Sequence, residues 1–164
     1  MMNFNVKKTR FIKTHQIITK IVDGDGFFVR DFFTNEEEEI RLLGIDAPEY
    51  KKCSKLKRDE SEIHLPGQLL MKLGRLSLQH MINIAPVGTN ITLAQEQPNQ
   101  TDAYGRTLAY AYLPDGSCIN EIMVRDGYAK AFNRFYCDML SDLQMLEKEA
   151  RLGGKGLFKL VKKF

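Results

Sequence analysis

Three short stretches of this chain gather side chains able to do chemistry. The first is Asp23-Gly24-Asp25-Gly26. Both residue types suit a hairpin turn, Asp by bonding nearby backbone and Gly by accepting positive φ. Carboxylates at a turn also suit a hard divalent cation, because they can converge there without burying an unpaired charge. An EF-hand is excluded, since that loop needs an oxygen ligand and then Gly where this chain has Phe27 and Phe28. The second stretch is Arg41-Leu42-Leu43-Gly44-Ile45-Asp46-Ala47-Pro48-Glu49. A guanidinium stands in an apolar run, with two carboxylates just beyond it. A structural salt bridge accounts for this pattern. So does a site in which Asp25, Asp46 and Glu49 hold a divalent ion, while Arg41 and the ion together neutralise a phosphate. The third stretch is the tight loop Thr101-Asp102-Ala103-Tyr104-Gly105-Arg106. Its Arg106 is either a surface cation or the partner of Arg41 in a two-arginine clamp on one phosphodiester.

For these stretches to meet, the intervening elements must bring several strand ends and a loop to one place. Residues 15–22 (HQIITKIV) are rich in β-branched side chains and predict a strand, as do residues 27–33 and 39–45. Short turns between them suggest an antiparallel meander, with the glutamates at 36–39 as a solvated connection. Residues 49–62 are densely charged and read as a surface loop, whose basic part at 51–58 either guides a polyanion or solvates the loop. Pro66 opens a helix to about residue 82, with Leu69, Leu73, Leu76 and His80 on one face; His80 there reads as a satisfied core or rim histidine. Strands follow at 90–95 and 107–113, then a short helix at 119–126. Ser141 and Gln144 have the spacing of a capping box at the start of a last helix, which Gly153-Gly154 stop. Five strands with a helix between the third and fourth is the element order of an OB-fold. The predicted class is α+β: a five-stranded Greek-key barrel with three helices. Residues 1–14 read as a leader and 15–164 as one domain.

Hydrophobic residues make up 43% of the 164 and charged residues 27%, enough to bury a core and too apolar for a disordered tail. Twenty-four Lys and Arg against 21 Asp and Glu give a net charge of +3. That is too weak to coat a polyanion by overall field, so placed cations must do any such work. No apolar run approaches the roughly 20 residues that span a bilayer, and the basic N-terminus lacks the apolar centre of a signal peptide. A soluble chain with no membrane partner is expected. Cys53, Cys118 and Cys137 form no CxxC pair, which argues against a thiolate zinc site and for buried or reduced thiols.

Taken together, DGD, RLLGIDAPE and DAYGRTLAY, in this order, resemble the staphylococcal nuclease family. The resemblance runs from about residue 17 to residue 158, with EIMVRDG (121–127) and Lys155-Gly156-Leu157-Phe158 adding to it. It implies a calcium-dependent phosphodiesterase that cuts DNA and RNA, prefers single strands and leaves 3′-phosphate ends. By position, Asp25 and Asp46 bind calcium through carboxylates and Ala47 through its backbone carbonyl. Glu49 positions or deprotonates the attacking water, and Arg41 and Arg106 bind the scissile phosphate. Tyr104 contributes a phenol on the substrate side. Phe132, Phe135 and Tyr136 are the candidates for stacking on bases. Gly26 stands where many members have Thr, Ala103 where they have Lys, and Phe158 where they have Trp. A monomer is expected. The alternative is a non-catalytic nucleic-acid-binding module of the same fold. Such modules have lost the carboxylates and arginines, whereas this chain keeps all five side chains.

Overall fold

The computed structural model describes residues 10–164. In chain order its elements are β1 (Arg10–Asp23), β2 (Gly26–Asp31), β3 (Glu37–Leu42), β4 (Ile45–Asp46), α1 (Ser54–Ile63), α2 (Gly67–Ile84), β5 (Asn90–Glu96), β6 (Thr107–Tyr112), α3 (Ile119–Arg125), β7 (Lys130–Ala131) and α4 (Leu140–Leu152), followed by a 3₁₀ turn at Gly156–Lys159. Five strands close a barrel in the order β1-β2-β3-β6-β5, as expected for an OB-fold. Closure rests on the 14-residue β1, which pairs with β2 through residues 16–23 and with β5 through residues 10–17. All barrel pairs are antiparallel except β3 with β6, where Arg41 lies opposite Leu108. Ile18, Phe27, Val29, Ile40, Leu93 and Tyr110 fill the core. The buried Asn120 of α3 ties the chain together across it. Its amide donates to Leu43 O (2.8 Å) and its oxygen accepts from the Ala111 N–H (3.0 Å).

Several expectations are revised. A fourth helix, α1, occupies what reads in the sequence as a charged loop. Only Leu56 and Asp59 are buried on it, so it carries no apolar stripe. Instead Cys53 Sγ accepts the Leu56 N–H (3.4 Å) at its start, Lys55 pairs with Asp59 one turn on, and Leu56 enters a small second core with Leu70, Leu73, Leu157 and Phe164. The first strand begins at Arg10, inside the expected leader; residues 1–9 lie outside the described residues. The glutamate run is partly structural. The Glu38 carboxylate takes Lys13 Nζ (2.7 Å) and the Thr107 hydroxyl (2.7 Å). No capping box forms at Ser141: α4 starts at Leu140, with Met139 as a cap that makes no side-chain bond. Packing sets that start, since Met139 is buried and its N–H meets the Tyr110 hydroxyl (3.3 Å). His80 is satisfied, stacked on Tyr128 at 4.0 Å with Nε2 2.9 Å from Asp126. Cys118 and Cys137 are buried, and Cys53 is exposed.

Two close approaches place the elements that matter most. A Cβ on Gly24 would collide with Ser77 of α2 and with Ala47, so the Asp-Gly-Asp turn seats against both only as glycine. Gly74 of α2 lies against the backbone of Glu49 and Tyr50, where a Cβ would come within 2.5 Å of the Glu49 carbonyl carbon and 2.6 Å of Tyr50 N. Replacing Gly74 by Ala should raise helix propensity by about 1 kcal/mol. The clash should outweigh that gain, destabilising the fold by about 1–3 kcal/mol and moving Glu49. The thermal melting temperature of Gly74→Ala should fall; an unchanged value would mean the segment yields freely.

Candidate active site

The ends of β1, β3 and β4, the N-terminal part of α1 and the β5–β6 loop surround one cavity of about 340 Å³. Asp25, Arg41, Asp46, Glu49, Tyr104 and Arg106 all line it, so five sequence-selected charged residues and the selected tyrosine meet in one place. Ala47 is not among the lining residues; its carbonyl accepts from Lys55, which is.

At the centre are two buried carboxylates. Asp25 and Asp46 are 5% and 6% exposed, and each faces Arg41. Arg41 Nη1 lies 3.0 Å from Asp25 Oδ2, and Nη2 donates to Asp46 Oδ1 at 3.2 Å. Burial alone would lower the Arg41 pKa; Asp25 and Asp46, then Asp23 and Glu49, hold it above the usual value. Local backbone explains the convergence. Gly26 is the register partner of Arg41 across β2 and β3, which brings the Asp-Gly-Asp turn beside the guanidinium. Asp25 Oδ2 also accepts the Ala47 N–H at 2.6 Å, and β4 pairs Asp46 with Lys130 of β7. The Asp23 carboxyl is raised well above its usual range, by burial first and then by the neighbouring Asp25 charge; its Oδ1 accepts the Asp25 N–H at 3.0 Å.

Sequence reasoning placed Lys55 only in the basic stretch at 51–58 and gave it no part in the site. Its ammonium donates to Ala47 O (2.9 Å) and lies 3.3 Å from Asp46 Oδ1, 3.3 Å from Glu49 Oε1 and 3.4 Å from Asp59 Oδ2. Burial would lower its pKa, but Asp46, Asp25, Glu49 and Asp59 carry it above the usual lysine range. The signal available in the sequence was the i,i+4 spacing of Lys55 and Asp59, which marks a helix in a segment otherwise read as loop. Arg58 and Asp102 also line the cavity and were not selected.

Arg106 is held differently. Its Nε donates to Asp102 Oδ2 at 2.7 Å, and Asp102 Oδ1 accepts the N–H groups of Tyr104 and Arg106, both at 2.9 Å. Burial would raise the Asp102 pKa, but the backbone and side chain of Arg106 hold it below the usual carboxylate value. This latch is fully present above the ordinary carboxylate pKa near 4 and is lost as pH falls through the lower folded value, so neutral and alkaline solutions keep it closed. Tyr104 is 86% exposed, with Arg106 stacked over its ring at 5.7 Å. Of the candidate stacking residues, Phe132 and Phe135 line the cavity and pack edge to face at 5.2 Å; Tyr136 is not among the lining residues.

The donor set suits a hard cation. Asp46 Oδ1, Ala47 O and Glu49 Oε1 already surround one positive charge, the Lys55 ammonium, and oxygen-only donors match calcium by type. They stand at ammonium distances rather than the roughly 2.3–2.6 Å of calcium–oxygen bonds. Among the described residues, no three His, Cys, Asp or Glu side chains are drawn together closely enough to hold an ion.

Comparison with known proteins gives the family. The family described as "Staphylococcal nuclease homologue" matches residues 39–159. An uncharacterized endonuclease of Escherichia coli O157:H7 is 31% identical over 144 residues, covering 88% of this chain and 76% of that protein. The uncharacterized protein MJ1439 of Methanocaldococcus jannaschii is 26% identical over 164 residues, covering 92% and 76%. Endonuclease YhcR of Bacillus subtilis is 25% identical over 131 residues, 80% of this chain but 10% of that much longer protein. With a closed five-stranded barrel and the family's match across most of its length, the chain belongs to the staphylococcal nuclease homologue family.

Proposed function

We propose that this chain is a calcium-dependent nuclease that hydrolyses phosphodiesters of DNA and RNA, prefers single strands, leaves 3′-phosphate ends and acts as a monomer. The observation that carries the reading is the meeting of Arg41, Arg106 and the carboxylates Asp25, Asp46 and Glu49 around one cavity. A non-catalytic binding module has no need of that set.

Asp25, Asp46 and the Ala47 carbonyl would hold calcium, which supplies positive charge beside the phosphate. The protein's own groups do the rest. Arg106 and Arg41 bind the non-bridging phosphate oxygens and stabilise the charge that develops on them. Glu49 holds a water in line with the 5′ oxygen and accepts its proton as the water oxygen bonds to phosphorus. The bond from phosphorus to the 5′ oxygen breaks, and that oxygen takes a proton from solvent. Phosphoester hydrolysis requires on the order of 20 kcal/mol of barrier lowering, and positioning with charge stabilisation supplies most of it. Phe132 and Phe135 offer faces on which unpaired bases stack, a contact that duplex DNA cannot make without unstacking.

No helix among the described residues is long and apolar enough to cross a membrane.

Single-stranded DNA and RNA should be cleaved with calcium and not with a chelator, and Glu49→Ala should abolish the activity. A folded wild type that binds nucleic acid without cutting it would favour the binding module. The two arginines should separate on mutation. Arg106→Ala removes one loop ion pair and should lose about 10³ or more in rate with little change in melting. Arg41→Ala leaves the buried Asp25 without its guanidinium and Asp46 with lysine partners alone, and should also cost about 3–5 kcal/mol in stability by denaturant titration. Phe135→Ala should weaken single-strand affinity by about 1–3 kcal/mol, read by fluorescence anisotropy, and leave duplex affinity nearly unchanged.

A further inference from the structure

Lys55 belongs to no motif of the sequence, yet it sits at the centre of the proposed metal site. Three of the four oxygens around its ammonium are those of Asp46, Ala47 and Glu49. The first two are calcium ligands in the reading above, and the third handles water. An ammonium is a compact point charge with three donors, so it can satisfy such oxygens much as a small cation does. Two cations cannot share them.

We propose that Lys55 is a tethered counter-ion competing with the divalent cation: the metal reaches Asp46 and Ala47 O only as the ammonium withdraws. This rests on the calcium reading of the site. The fourth contact makes the exchange feasible. Asp59 lies one helical turn along α1, is itself buried, and has Oδ2 3.4 Å from Nζ. A withdrawing ammonium therefore keeps a carboxylate partner on its own helix. Lys55 also occupies Glu49 Oε1, so its withdrawal frees that carboxylate for the attacking water. Metal occupancy and readiness of Glu49 then become one event. Without metal, the same lysine neutralises carboxylates that would otherwise repel one another.

Calcium binding measured directly, by calorimetry on the chelator-stripped whole chain, tests this without reference to cleavage. A site blocked by its own lysine for about nine-tenths of the time binds about tenfold more weakly than the open site. Lys55→Met keeps the stem and removes the charge, so it should bind calcium about tenfold more tightly, melt lower without metal, and gain more from calcium than wild type does. Equal or weaker calcium affinity in Lys55→Met would overturn the proposal. In the wild type, the ¹⁵Nζ resonance of Lys55 should move toward that of a solvent-exposed lysine as calcium is added. This readout needs no variant, and an unmoved resonance at saturating calcium would overturn the proposal too. Calcium binding to neither protein would overturn both this proposal and the calcium reading beneath it. Equal affinities would remove the competition alone.

Discussion

Two carboxylates, Asp25 and Asp46, are buried side by side at the mouth of a β-barrel, and this arrangement constrains everything around it. Like charges withdrawn from water at short range are tolerated only when cations meet them. Arg41 does so with a forked guanidinium that touches both at once. That geometry in turn requires β3 to run opposite the Asp-Gly-Asp turn, and the Ala47 N–H to donate to Asp25 Oδ2, the same oxygen that Arg41 meets. The barrel supplies the walls, but the charge balance dictates which strand ends must face one another.

Three of the cations lining the cavity are held in different ways. Arg41 is fixed by two buried partners. Arg106 is latched by Asp102 in an exposed loop, where it can turn toward a ligand without disturbing the core. Lys55 reaches in from a surface helix on a flexible stem. Arg41 is the least exposed of the three side chains at 13%, with Lys55 at 23% and Arg106 at 27%.

The barrel was legible because its strands carry β-branched residues between Asp, Gly and Pro turns, and because the helix between the third and fourth strands has a clear apolar face. The charged residues of the site were legible for a different reason: Arg41 stands where the pattern calls for an apolar side chain, and such a violation of local rules marks a site. What escaped the reading is held by tertiary contacts. Helix α1 has one buried leucine and no stripe, so its order depends on a second core completed by Phe164, more than 100 residues away. The start of α4 is set by Met139 beneath Tyr110 rather than by the nearby Ser141. Lys55 escaped with α1, since a lysine in a charged loop has no visible address.

The strand pairings carry a consequence for how the molecule comes into being. Arg41 is seated by a parallel pairing of residues 40–42 with 107–109, and Asp46 by the pairing of β4 with residues 130–131. Contacts so distant along the chain form late, because long loops must close before they are rewarded. During synthesis, the segment carrying Asp23, Asp25, Asp46 and Glu49 is made well before the strands that hold it. A growing chain therefore carries these side chains without their geometry until residues 130–131 have emerged, and an intact barrel is the condition for the five charges to act together.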